Sequence, residues 1–339
     1  MVRLLSIPIL LFFVSCTSQP VPLRVPLDEH DLYLKMKQAT LVLLVNKQET
    51  GTAAFISSDG YIASAAHCIR YRDDKIEVIS AQFGQIPVKL IAIDKAHDFM
   101  LLKADLTKKA HFLPPAKNKL RPPEKLYLMG SSIYRRGIFQ LGTVARDDTY
   151  FEYYGGVHSH YLETIHIAAS VQGGTSGGPW VNRFGEYVGV QSGQLLIENS
   201  PSGISFLTPV THFKDVIETK KSARSYNLDF HVDPLIAQSP STINRYKGYT
   251  QGLVVTDINA TSVAKESGLS KWDLIVAIND TPVRTIKELI VEVRRLKANS
   301  VRLTIVQLDK KESKILVVPV DIVEDRITFK NPPKEVSIQ

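Results

Sequence analysis

The residues best suited to chemistry lie in the run Val171-Gln-Gly-Gly-Thr-Ser-Gly-Gly-Pro-Trp180. Glycines crowded around Ser176 exclude a core strand or helix and predict a tight turn with free amides. A serine in such a turn can expose its hydroxyl while neighbouring N–H groups converge on one point, a nucleophile beside an oxyanion hole. An ordinary glycine-rich hairpin is the alternative for this segment alone. Gly174-Thr-Ser-Gly-Gly178 also satisfies the G-x-S-x-G nucleophile elbow, which needs a helix directly after the serine and its acid and histidine downstream. Here Pro179 and an alternating strand pattern follow instead, so the elbow reading fails.

Two upstream stretches complete the chemistry: Tyr61-Ile-Ala-Ser-Ala-Ala-His-Cys-Ile-Arg70 and Asp94-Lys-Ala-His-Asp-Phe-Met-Leu-Leu102. Ala65-Ala66-His67-Cys68, the Asp98 segment and Gly174-Thr-Ser-Gly-Gly-Pro179 resemble the three catalytic blocks of chymotrypsin-fold serine proteases, in that family's order. Within it, Gly51-Thr-Ala-Ala-Phe-Ile-Ser-Ser-Asp-Gly-Tyr-Ile62 and Gly203-Ile-Ser-Phe-Leu-Thr-Pro209 resemble the HtrA (DegP/DegS-like) branch. The resemblance spans roughly residues 35–322. It implies His67 as general base, Asp98 as the acid that orients it, Ser176 as nucleophile, and the amides of Gly174 and Ser176 as oxyanion donors. Asp94 and Asp105 are rivals for the acid, but only Asp98 opens the apolar run that matches the family block. His97 is assigned a structural role. Ser170, six residues before Ser176, is expected at the base of the specificity pocket, where an uncharged residue suits small aliphatic side chains. Thr175 stands where the family usually has Asn or Asp.

These groups must be positioned by strands. Short β-runs at Leu41–Val45, Thr52–Ile56, Tyr61–Ala63, Val88–Ile93 and Phe99–Leu102 carry His67 and Asp98. A second set, Lys125–Met129, Gln140–Val144, Tyr161–Ala168, Gly178–Val181, Tyr187–Gln191 and Ile204–Leu207, carries Ser176. Glycine, proline and charge punctuate both sets, which predicts a mainly β protein with two barrels rather than βαβ units. The triad then assembles across the cleft between a chymotrypsin-like double β-barrel's halves. Leu32–Ala39 predicts a short helix, Thr211–Ala223 a closing helix, and 222–226 a linker. The 147–160 segment, with Tyr150, Tyr153, Tyr154, His158 and His160, predicts a mobile loop with aromatic anchors, where the family carries a regulatory loop. Zinc there would need His166 as well, which sits in a strand pattern, so no metal is predicted. No organic cofactor is predicted either.

Beyond residue 224 the pattern changes. Gly252–Asp257 reads as a strand, Ser262–Leu269 as a short helix ending in glycine, and Lys271–Asp280 as a strand into a turn. Thr285 with Glu288 forms a capping box ahead of the helical face Ile286, Leu289, Ile290, Val293 and Leu296. Val301–Leu308 and Lys314–Val320 close a hairpin. This order resembles one small α+β PDZ domain, 224–323, behind a peptidase domain, 35–223. The resemblance places a carboxylate-binding loop at Leu228-Asp229-Phe230, with Asp229 where glycine is usual; Trp272 likewise replaces a usual glycine. An activating peptide is the partner this loop implies.

The 339-residue length fits about two domains. The formal charge of +7 comes from interspersed residues. The one basic cluster, Lys108–Lys125, is proline-rich without interleaved aromatics, so nucleic-acid binding is not predicted. Arg3 followed by apolar Leu4–Val14 predicts a signal peptide over 1–15. Phe13-Val-Ser-Cys16 resembles a lipobox, which implies lipid on Cys16, a membrane anchor and a periplasmic, outer-membrane lipoprotein; a plain cleaved signal is the alternative. Residues 16–34, with Pro20, Pro22 and Pro26, predict a tether, and 324–339 a loose tail. Cys68 has no partner left and is expected to be a buried apolar residue.

The resemblance implies a serine endopeptidase of the cell envelope that cleaves unfolded or damaged proteins, assembled as a homotrimer to which Tyr33 and Leu34 contribute. The departures at Thr175, Asp229 and Trp272 keep a catalytically silent chaperone or peptide-binding module open, and an extracellular esterase as a third reading.

Overall fold

A computed structural model describes residues 24–324, apart from 133–134, 147, 155–159, 260–261, 296–298 and 311. The expected signal peptide, Cys16, most of the tail and His158 lie outside the described residues. Helix α1, Glu29–Ala39, opens on Asp28, whose carboxylate accepts the N–H groups of His30 and Asp31 and so satisfies donors the helix cannot. Leu32 and Met36, one turn apart, bury in the core shared by the two barrels, while Glu29 accepts from Tyr127 Oη of the second barrel and Tyr33 packs edge-on against Phe139. The helix therefore begins earlier than expected, and residues 29–34 belong to it rather than to a tether. The burial of Leu32 is the reason.

Six strands close the first barrel: β1 Thr40–Val45, β2 Gln48–Phe55, β3 Tyr61–Ala65, β4 Ile76–Ser80, β5 Gly84–Asp94 and β6 Phe99–Ala104, in the order β1-β2-β3-β6-β5-β4. β4 was not legible as a strand, because its five residues sit behind the charged stretch 70–75. The second barrel uses β7 Lys125–Ser132, β8 Arg135–Val144, β9 Tyr150–Tyr154, β10 His160–Ala168, β11 Pro179–Asn182, β12 Tyr187–Ile197 and β13 Ser200–Pro209. It closes where β13 pairs with β10, and β9 extends it as a hairpin on β10. Residues 150–154 of the expected loop, as β9, are therefore paired rather than free. The register sets Phe151 opposite Glu163, and Phe151 is buried.

The expected closing helix shrinks to α2, Lys214–Thr219, and β14, Arg224–Asn227, takes the place of the linker's end by pairing with β21, Asp321–Glu324. Between them lie β15 Phe230–Pro234, α3 Pro240–Asn244, β16 Leu253–Ile258, α4 Val263–Glu266, β17 Leu274–Ile278, β18 Thr281–Pro282, α5 Ile286–Arg295, β19 Ser300–Val306 and β20 Ser313–Pro319. The sheet runs β15-β16-β17-β19-β20, which leaves β15 at an edge. The capping box of α5 forms as expected: Thr285 Oγ1 accepts from Glu288 N at 3.2 Å, and Glu288 Oε2 from Thr285 N at 3.1 Å. Ile286, Leu289, Ile290 and Val293 bury in this unit's core. Phe151 and Tyr161, from the hairpin of the second barrel, belong to the same core cluster.

Candidate active site

The pairing of β3 with β6 explains how two distant side chains meet. Ala65 stands opposite Phe99, so the residue just past the end of β3 lies beside the one just before β6. His67 follows on the single 3-10 turn Ala66–Cys68. Asp98 caps the turn Lys95–His97 with φ 45° and ψ 44°, a left-handed conformation that aspartate tolerates better than most residues. Asp98 then makes three bonds to the His67 turn. Its carbonyl accepts from Ala66 N at 3.1 Å, Oδ1 accepts from His67 N at 2.9 Å, and Oδ2 lies 2.7 Å from His67 Nδ1. The Asp98 side chain is 7% exposed and that of His67 31%, so the carboxylate is enclosed while the imidazole stays accessible. Burial alone would lower the His67 pKa, but the Asp98 charge and hydrogen bond outweigh it and raise the value above 6.5. The rivals are engaged elsewhere: Asp94 with His97 at 2.8 Å, Asp105 with Lys89 at 3.0 Å.

Ser176 lies between β10 and β11, on a loop pinned by the first barrel. Thr52 N donates to the Ser176 carbonyl at 2.8 Å, and Cys68 Sγ stands 4.0 Å from that same oxygen. Thr52 Oγ1 donates to the Gly174 carbonyl at 2.9 Å and accepts from Ser131 N at 3.0 Å. The segments of His67, Asp98 and Ser176 thus converge around β2 and β3. Gly177 has φ 81°, and a Cβ there would overlap Ser64 Oγ and the Thr52 carbonyl. No other residue permits this approach. Gly174, at φ 93°, is third in the turn closed by Thr175 N on the Gln172 carbonyl, 3.3 Å. Positive φ at that position makes the turn type II and sets which way the preceding peptide N–H points. Both carbonyls flanking this stretch are held from β2, and no protein acceptor takes the N–H of Gly174 or Ser176 among the described residues. Thr52 and Gly51 were missed as site residues. Their signal was present, since Gly51-Thr52 opens a block that carried the resemblance.

The remaining candidates are placed as follows. Ser170 is exposed, and its carbonyl accepts from Gln140 Nε2 at 3.2 Å. Thr175 is buried, its hydroxyl bonded to the Gln172 carbonyl at 2.8 Å. Cys68 is a buried free thiol whose pKa burial pushes well up. Leu228 and Phe230 are buried, and Asp229 between them adopts φ 52°. Trp272 adopts φ 72°. Both departures from glycine therefore keep the left-handed backbone that glycine would supply.

Residues 51–190 match a family described as trypsin-like peptidase domain, and 231–306 match the PDZ domain. The chain thus carries a trypsin-like peptidase domain followed by one PDZ domain. It is 25% identical to a probable periplasmic serine endoprotease DegP-like of Rhizobium meliloti over 74% of this chain and 49% of that protein. It is 26% identical to serine endoprotease DegS of Haemophilus influenzae over 81% of this chain and 77% of that one. The chain thus spans about half the length of the DegP-like relatives it matches. Among solved structures, an HtrA-type protease AlgW with tripeptide superposes with TM-score 0.60 at 19% identity, covering 87% of this chain and 97% of that chain.

The two domains touch through the β9–β10 hairpin. Tyr161 Oη accepts from Val232 N at 2.7 Å, on the edge strand of the PDZ sheet. Glu163 binds Arg294 of α5 and His97 Nε2, the latter at 3.2 Å. Burial would lower the His97 pKa, but Asp94 carries it up to about 9; burial pushes His212 down to about 4.

Proposed function

We propose that this protein is a serine-type endopeptidase whose triad is Ser176, His67 and Asp98. The observation that carries this reading is the 2.7 Å contact of Asp98 Oδ2 with His67 Nδ1, next to Cys68, whose Sγ lies 4.0 Å from the Ser176 carbonyl that Thr52 N ties to β2. Ser176 Oγ attacks the scissile carbonyl as its proton passes to His67 Nε2. Asp98 fixes the tautomer and stabilises the imidazolium, the N–H groups of Gly174 and Ser176 receive the oxyanion, and His67 then protonates the leaving amine. Water resolves the acyl-enzyme by the same route. The uncharged Ser170 supports selection of small aliphatic residues before the cleaved bond.

The substrates proposed, from the family resemblance, are unfolded polypeptides of the cell envelope; the relatives' names support an endoprotease of the periplasm. Residues Leu228-Asp229-Phe230 are the proposed peptide-capture loop, where backbone N–H groups and the edge strand β15 would receive an activating peptide as an added strand. The Tyr161 hydroxyl already holds one N–H of that edge, so an entering peptide has to displace it. A periplasmic location follows the relatives' names, and lipid on Cys16 would tether the chain to the membrane. A homotrimer is proposed from the family resemblance; Leu34 is exposed on α1, whose Tyr33 packs on Phe139 of β8, and Ile138 and Leu141 are exposed on that strand.

The test is digestion of reduced casein by the wild-type chain, with and without a panel of peptides ending in apolar residues, beside Ser176→Ala. Peptide-stimulated cleavage that Ser176→Ala abolishes is expected. Equal cleavage by the variant, or none under any peptide, refutes the endopeptidase reading.

A further inference from the structure

Behind the Asp98 turn, three side chains from three separate elements point into one spot. His97 ends the 3-10 turn, Glu163 stands in β10, and His212 follows β13. Their potential ligand atoms all lie within 4.8 Å of one another. His97 Nε2 is 3.2 Å from Glu163 Oε2, and His212 Nδ1 is 4.0 Å from Glu163 Oε1. Ligands at about 2.0–2.2 Å from a tetrahedral ion sit about 3.3–3.6 Å apart, so small side-chain rotations close the triangle.

We propose that His97 Nε2, His212 Nδ1 and a Glu163 carboxylate oxygen form a binding site for a divalent first-row metal ion, Zn2+ in particular. Two imidazoles and one carboxylate are a ligand set that suits this ion and leaves a fourth position open. Three independent features support the site. His212 Nδ1 is buried and has no hydrogen-bond partner among the described residues, an unusual state for a buried nitrogen. His97 Nδ1 is held by Asp94 Oδ2 at 2.8 Å, the carboxylate behind a ligating histidine that fixes ring and tautomer. A cavity of about 360 Å³ lined by Asp94, His97, Tyr161, His212 and Arg294 adjoins the cluster, which gives an ion and its water both room and an entry path.

Arg294 is the competing group, since it pairs with Glu163. A bound dication supplies that positive charge itself and releases the guanidinium. Metal and the α5–β10 ion pair therefore exclude each other at one carboxylate oxygen, and Arg294→Met should tighten metal binding. The site is separate from the serine chemistry and does not depend on it.

The experiment is calorimetric titration of the full, tag-free chain with Zn2+ after chelator treatment, with X-ray absorption at the zinc edge on the loaded protein. One equivalent per chain is expected, with a shell of two imidazole nitrogens plus oxygen and no sulfur. His212→Ala should weaken binding by more than the about 10–100-fold expected for Asp94→Asn, which removes only an outer partner. His166→Ala, whose ring bonds Glu152 instead, should leave affinity unchanged. Absence of binding, a shell containing sulfur or oxygen alone, or equal affinity in wild type and His212→Ala overturns the proposal. The absorption spectrum decides the matter on wild-type protein even if a variant fails to fold.

Discussion

Thr52→Val is the substitution that separates the frame of the active site from its reacting groups. Valine is nearly isosteric with threonine, so no cavity forms in the barrel. What is lost is one hydroxyl that donates to the Gly174 carbonyl at 2.9 Å and accepts from Ser131 N at 3.0 Å. Each buried group left unpaired costs about 1–3 kcal/mol. Ser131 is buried and Gly174 only half-buried, so the second contributes at the lower end and the sum is about 2–4 kcal/mol. At about 2–4 °C per kcal/mol for domains of this size, the peptidase transition should fall by about 4–16 °C. The kinetic effect is distinct. With its carbonyl released from β2, Gly174 no longer holds the neighbouring 173–174 peptide, and hence its own N–H, in a fixed direction, and loss of one oxyanion donor lowers kcat by about 10²–10³. The assay is kcat and KM on a fluorogenic peptide, paired with calorimetry, for Thr52→Val and Thr52→Ser. Serine keeps the hydroxyl and should retain most of kcat. A Thr52→Val variant that melts lower but keeps kcat within about threefold of wild type would refute the reasoning.

Other expectations follow from single contacts. Asp98→Asn should keep its fold and lower kcat by about 10⁴, because the tautomer of His67 is no longer set; near-normal turnover in that variant would exclude Asp98 from the triad. The base works as neutral imidazole, and its pKa lies above 6.5 because Asp98 outweighs burial. Activity should therefore rise with pH through a midpoint above 6.5, and any residual activity of Asp98→Asn should rise at lower pH; a midpoint that stays put contradicts the assignment. The buried thiol of Cys68 should resist iodoacetamide until the chain is unfolded in guanidinium, which mass spectrometry reads directly. Tyr161→Phe frees the Val232 N–H. Recovery of about 0.5–1.5 kcal/mol for one hydrogen bond should raise peptide affinity of the PDZ domain about 2–10-fold by fluorescence anisotropy, whereas unchanged affinity would place the peptide elsewhere.

Most strands were legible because glycine and proline punctuate short β-branched runs, and the α5 helix because its cap and apolar face agree. The His67, Asp98 and Ser176 segments were legible because each is a local pattern. Features formed only by three-dimensional closure were not. β4 hides behind a charged stretch. β9 has the aromatic composition of a strand, but it lies where the family carries a loop, and only its pairing with β10 reveals it. Residues Leu228, Phe230, Phe151 and Tyr161 share one core cluster across two domains, which no periodicity announces. The His97–Glu163–His212 cluster joins three distant stretches, His97 and Glu163 alone being 66 positions apart, and the histidines that composition drew attention to lay in the 147–160 segment instead.

The central claim is that Ser176 is an activated nucleophile. Intact-mass and peptide mapping after treatment with a fluorophosphonate measures it most directly. One adduct on the peptide containing Ser176 is expected, lost in Ser176→Ala and strongly slowed in His67→Ala. An adduct on another residue, or none in the presence of an activating peptide, would contradict the account.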